Sequence, residues 1–390
     1  MKEFRHLCDR RRQVFRAAVE EKVKKLKNIE FLRVVGCLAI VVLHFCSRAG
    51  FGKFAKVNPF FCEMMKTSNC GAKAVDLFFI LAGIFLVLTT DFRSSFFEFV
   101  KKKLIRFLPV PIFTLFGFFV LTRFCDMKFR YCENFLILFN VTGTPLSLKY
   151  GNFAGYWYIS VLFWVFLFIF YCRQNFSRKA VDLWIALLVF FSYAFVVDVT
   201  KGYVTGVLDH YGYFFNVGLA RGIGGVGIGY FIGEWYRQNA ERIRALSLPF
   251  YSRLIFTAAE GYTLFFIIRE MMFHKPRFAN HFVFIICFAI IIICFLLKQG
   301  YISRLLDAEI WCRLSAYTFS VYVTHTLVRD TLITCLWKTS KFKPFMLDHP
   351  CVTLLVSIAA ALIFGIATCH LVERPATKYL KRFLAPKPCG

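Results

Sequence analysis

Apolar runs of about eighteen residues or more recur along the chain, and they constrain its fold more than any other feature. A helix of that length crosses the hydrocarbon core of a bilayer with every backbone polar group satisfied internally. The first run, Asn28 to Ser47, reads NIEFLRVVGCLAIVVLHFCS. Nine more fall near 73–90, 104–122, 156–172, 180–198, 214–236, 252–269, 281–297, 314–337 and 351–371. The chain is 58% hydrophobic with a mean hydropathy of +0.59, as such a pattern requires. A membrane β-barrel would instead show short segments of alternating polarity. No polar stretch exceeds about 30 residues, too few to build an independent soluble core. The expected fold is therefore all-α: a polytopic helical membrane protein of about ten transmembrane helices.

Ten spans put both termini on one side. The segments on that side hold about twice as many Lys and Arg residues as the opposite loops, which makes the side cytoplasmic. The same rule accounts for the net charge of +26. Loop cations set topology and meet anionic headgroups, so the charge does not point to nucleic acid. The chain divides into a basic cytoplasmic arm (1–27), a membrane domain (28–372) and a basic cytoplasmic tail (373–390). The stretch 47–72 reads as a polar loop, and Phe135–Phe139 as a short apolar piece dipping into the membrane. The fifteen cysteines form no CxxC and no Cys/His cluster with zinc spacing. Cys62/Cys70 and Cys125/Cys132 are the pairs placed to form bridges in outer loops. The arm is too long and too charged for a signal-peptide n-region, and no cleaved signal is expected.

The first span carries two residues that a bilayer disfavours, Arg33 and His44. Eleven residues apart, they lie on one helix face and about 16 Å apart along the axis. An ionisable side chain inside a membrane helix marks a functional site by default, against the plainer readings of an interfacial anchor for Arg33 and a bonded interfacial histidine for His44. Depth assigns neighbours to each. Asp76 falls at the level of His44, where a carboxylate would hold the imidazole in one tautomer, unless it only caps its helix. Arg221 lies in the same half, and Glu260 and His325 lie near mid-span. Arg106 and Glu373 lie at the level of Arg33, placed to bind a ligand or simply to pair. Gly222, Gly224 and Gly227 match GxGxxG, but no strand precedes them. Gly225, Gly229 and Gly233 recur every four residues, a face for close helix packing.

These residues stand in segments that resemble the acyltransferase-3 family of integral membrane acyltransferases. Arg33 and His44 fit its Arg-x10-His signature. KAVDLFFILAGIFL (73–86) resembles its second-span pattern, KKKLIRFLP (101–109) its basic turn, and GYWYIS (155–160) its Trp-containing entry to the fourth span. LSAYTFSVYVTH (314–325) resembles its Tyr/His segment and VERP (372–375) its Glu-Arg-Pro ending. The order holds from about 28 to 382. Two positions depart from the pattern: Ala82 stands where the family has Ser, and Thr326-Leu327 where Trp-Pro is common.

The resemblance implies transfer of an acyl group, most often acetyl, from a cytoplasmic coenzyme A thioester to a hydroxyl of a cell-surface polysaccharide or its lipid-linked precursor. It also implies a bacterial plasma membrane. Acetyl-CoA or another acyl-CoA is then a co-substrate, and no metal is called for. The donor's phosphates would meet Arg33, Lys101, Lys102, Lys103 and Arg106. His44 would act as general base or carry the acyl group itself, oriented by Asp76, with Arg221 facing the oxyanion. Trp157, His325 and Glu373 are expected to contact the acceptor. The rival reading is a transporter or flippase of a polar solute, which charges distributed in depth would suit equally. The absence of an evident internal repeat counts against it.

Overall fold

A computed structural model of the chain describes residues 26–47, 50–124, 157–200, 210–211, 215–273, 280–337, 339 and 341–384. Most of the basic arm, Phe135–Phe139 and the Cys125/Cys132 pair lie outside these residues. The described residues are helical apart from connections and a two-residue antiparallel ladder of β1 (His210–Tyr211) on β2 (Phe215–Asn216).

The helices in chain order begin with α1 (Lys27–Cys46), α2 (Pro59–Ser68), α3 (Ala74–Thr89), α4 (Phe96–Phe107) and α5 (Pro109–Phe124). Next come α6 (Trp157–Asn175), α7 (Arg178–Thr200), α8 (Val217–Ala245), α9 (Phe250–Phe273) and α10 (Asn280–Leu297). Short α11 (Tyr301–Leu305) and α12 (Glu309–Ser315) lead into α13 (Thr318–Thr331). Finally come α14 (Lys343–Asp348), α15 (Pro350–Thr368) and α16 (Arg374–Phe383). Helices thus occupy all ten stretches read as spans. Among the described residues, six segments are long and apolar enough to cross a membrane: Lys27–Phe54, Pro59–Thr89, Phe96–Arg123, Trp157–Asn175, Arg178–Thr200 and Pro350–Phe383. The chain is a multi-pass helical membrane protein.

Two stretches differ from the sequence reading. The third expected span, read as bent by Pro109 and Pro111, is broken outright at Leu108, where α4 ends and Pro109 starts α5, because proline cannot continue the hydrogen-bond ladder of a helix interior. The polar loop 47–72 is partly folded. Phe51 and Phe61 stack at 5.0 Å between centroids, and both are buried. That burial fixes a 3-10 turn (Phe51–Phe54) and α2 against the end of α1. Cys62 on α2 carries a free thiol, and the side chain of Cys70, its expected partner, lies outside those described.

α1 sits centrally, touching α2, α3, α10, α12, α13 and α15. Its first turn is pinned from three sides. Asn28 Nδ2 donates to the carbonyl oxygens of Phe295 (2.7 Å) and Ser303 (3.3 Å), Lys27 pairs with Glu309 (3.0 Å), and Phe31 packs edge-on to Trp311 (4.8 Å). α3 lies along α8 at backbone range. A Cβ on Gly229 would overlap the Ile80 carbonyl oxygen, and one on Gly83 the Val226 carbonyl oxygen. Gly225 and Gly233 face α3 as well, so the four-residue glycine face is the surface on which these helices close.

Candidate active site

Two groups of polar residues stand along α1, one at each end of its Arg33–His44 face. At the Arg33 end a half-open cavity of about 330 Å³ is bounded by α1, α3, α4, α6 and α13. Arg33, Lys103 and Arg106 line it together with Glu30, and apolar and aromatic side chains complete the wall. The cations are held by different means. Arg33 donates to Glu30 Oε2 (2.8 Å) one turn earlier and lies 5.5 Å from the Phe85 ring centre. Lys103 stands over the rings of Phe166 (4.4 Å) and Phe99 (5.0 Å). Arg106 donates to Glu373 Oε1 (2.6 Å) and packs over Phe319 (5.4 Å). Glu373 also accepts from the Ser320 hydroxyl. Cations bound mainly by aromatic faces, or by one carboxylate, keep donors available for an anionic ligand.

Only part of the basic turn reaches this cavity. Lys103 and Arg106 are three residues apart and share a face of α4. Lys101 and Lys102 are turned away by the 100° step of the helix. Lys101 donates to the Leu384 carbonyl oxygen at the end of α16, and Lys102 is exposed.

At the other end, His44 and His325 lie ring to ring, with centroids 5.0 Å apart. His325, on α13, is fully buried. Its Nδ1 is 2.6 Å from the Tyr322 carbonyl oxygen, three residues earlier. A carbonyl only accepts, so Nδ1 carries the hydrogen, and the lone pair is on Nε2. That Nε2 is buried and has no hydrogen-bond partner among the described residues. Arg329, one turn on and on the same face, is nearly buried. Its Nε donates to Asp330 (2.7 Å). The sequence reading did not single out Arg329; its i, i+4 spacing from His325 was the available signal. Tyr322 connects the two ends: it lines the cavity, and its ring lies 5.8 Å from that of His325.

The model of the acyltransferase domain named Acyl_transf_3 matches residues 26–374, nearly the whole chain. The chain belongs to the acyltransferase-3 family. No curated protein and no solved structure gives a match. The match covers both the basic cavity and the histidine pair, and the two residues read from the sequence as the Arg-x10-His pattern, Arg33 in the cavity wall and His44 against His325, lie within it. Ala82, at the family's serine position, lines the cavity and offers no hydroxyl.

Four residues expected in the site make other contacts. Asp76 does not hold His44: Arg221 Nε donates to its Oδ1 (3.0 Å) and Arg221 Nη2 to its Oδ2 (2.9 Å). The reason is packing. The glycine face of α8 brings Arg221 onto α3, and a bidentate guanidinium matches a carboxylate in shape and charge. Arg221 thereby has its Nε and Nη2 committed, while its buried Nη1 has no partner among the described residues. It is fully buried, also donates to the Ala72 carbonyl oxygen (3.1 Å), and lies 5.7 Å from the Trp157 ring centre. Trp157 is buried beneath it and against Phe79 (5.8 Å), and it does not line the cavity. Glu373 likewise stands outside the cavity wall, as the counter-ion of Arg106. Glu260 is buried away from both ends, its Oε2 accepting from the Ser303 backbone N–H (3.1 Å). Among the described residues no three His, Cys, Asp or Glu side chains stand together as metal ligands would.

Proposed function

We propose that this acyltransferase moves a short acyl group, acetyl first of all, from an acyl-CoA thioester to a hydroxyl of a cell-surface polysaccharide or its lipid-linked precursor. The observation that carries the proposal is that the basic cavity and the histidine pair are neighbours, Tyr322 lining the one and touching the other. Arg33, Lys103 and Arg106 take the phosphates of the donor, and the pantetheine arm runs along the apolar wall towards the histidines. The cavity is too small for the whole donor, so the nucleotide rests at its open mouth.

His325 Nε2 accepts the proton of the acceptor hydroxyl as the oxygen attacks the thioester carbonyl. The carbon–sulfur bond then breaks, and the leaving thiolate takes that proton back. His44 packs against His325 and fixes its ring, and Arg329 supplies positive charge where the oxyanion grows. Asp76 and Arg221 act as a positioning pair that holds α3 against α8. In the membrane the chain makes ten crossings with both termini in the cytoplasm, and its place is a bacterial plasma membrane. The donor then enters from the cytoplasmic Arg33 end.

The test is transfer of label. Membranes containing the protein, given acetyl-CoA labelled in the acetyl group, should release free thiol and place label in extractable glycan or lipid-linked sugar. Membranes lacking the protein should do neither. Uptake of a polar solute along a gradient, with no thiol released from acetyl- or succinyl-CoA, would replace the enzyme reading by the transporter.

A further inference from the structure

Three aromatic side chains of the cavity wall form a contiguous group that reaches His325 through Tyr322. Phe78, Tyr158 and Tyr322 line the cavity, whereas neither His44 nor His325 does. The three rings meet edge to face: Phe78 lies 6.2 Å from Tyr158 at 70°, and Tyr158 lies 5.6 Å from Tyr322 at 65°. Tyr322 is next to His325. Phe78 is closed in from behind. α1 passes it at Gly36, where even a Cβ would come within 3.1 Å of the ring. One turn along α3 the wall changes character, because Ala82 leaves open the path that Phe78 narrows.

We propose that Phe78, Tyr158 and Tyr322 form a gate that sets the length of the acyl group carried. The inference rests on the acyl-CoA reading above. For the thioester carbonyl to reach His325, the carbons beyond it must lie among these three rings. A methyl group fits between edge-to-face rings. A longer chain must displace Phe78, whose retreat is blocked by α1. Packed interiors resist such displacement, so the gate discriminates by size rather than by polarity.

The experiment uses the full chain in lipid vesicles and compares kcat/KM for acetyl-, butyryl- and hexanoyl-CoA. The wild type should favour acetyl over hexanoyl by about a hundredfold, and Phe78→Ala should lower that ratio at least about tenfold, through a gain with the longer donor. Phe78→Leu, a gentler change, should move the ratio in the same direction. Tyr158→Phe keeps the ring and should leave the ratio unchanged. Gly36→Ala presses on Phe78 and should raise the ratio. Equal use of acetyl and hexanoyl by the wild type overturns the gate. So does an unaltered ratio in both Phe78 variants while acetyl transfer continues. Absence of transfer from every donor overturns the acyl-CoA reading and the gate with it, and it is told apart from failure of the gate alone because the latter leaves acetyl transfer intact.

Discussion

Asp76–Arg221 and His44–His325 are both polar pairs held between helices of a membrane protein, and they differ in what is left unspent. In the first, both carboxylate oxygens are occupied by one guanidinium, both side chains are inaccessible, and what lacks a partner among the described residues is a donor, Arg221 Nη1. In the second, two imidazoles lie side by side, and a nitrogen lone pair on His325 has no partner among the described residues. A bidentate buried ion pair fixes two helices relative to each other, and the guanidinium N–H it leaves over can only donate. A buried base with nothing to accept from is costly to maintain, and such cost is borne where chemistry needs it. The contrast, a spare donor against a spare acceptor, separates the scaffold pair from the proposed reactive centre where charge and depth alone would rank the two pairs alike.

Four substitutions sharpen the contrast, and the largest effect belongs to the histidines. His325→Ala or His44→Ala should lower acyl transfer by about 10²–10⁴-fold with insertion and thermal stability close to wild type. Transfer per folded molecule and a melting curve in detergent measure both parts. Asp76→Ala should do the reverse. Leaving Arg221 buried without its partner costs about 3–5 kcal/mol of stability, and Asp76→Ala with Arg221→Met should recover much of that loss. Recovery of melting temperature in the double variant is the readout, and a double variant as unstable as the single would refute the scaffold role.

At the cavity, Arg106→Gln removes a charge-assisted contact to the donor and should raise its KM by about tenfold with kcat little changed. The smallest effect is expected at Lys102. Exposed and outside the cavity, Lys102→Ala should change neither KM nor kcat by more than about twofold.

The sequence carried the positions of the helices well, because a bilayer demands runs of apolar residues that no other pattern imitates. It also placed Arg33 and His44 on one face, since helical periodicity within a single element is rigid. Partners across helices were harder to read. Asp76 and His44 share a depth, but depth says nothing of azimuth, and the glycines of α8 turned Asp76 towards Arg221 instead. The basic turn likewise read as one cluster of four cations, whereas a rotation of 100° per residue admits only Lys103 and Arg106 to the cavity beside Arg33. His325 was legible as a polar residue within a span. Its pairing with His44 depends on how α13 packs on α1, which no local pattern encodes.

The central claim is that the two histidines at the end of the basic cavity work as one reactive unit. The most direct measurement is labelled acetyl transfer by purified protein in vesicles, comparing His44→Ala, His325→Ala and the double variant at equal amounts of folded protein. If the pair is one unit, the double variant should be no slower than the slower single variant, because the second removal takes away nothing that still acts. Losses that multiply, or a single variant that retains wild-type transfer, would contradict it.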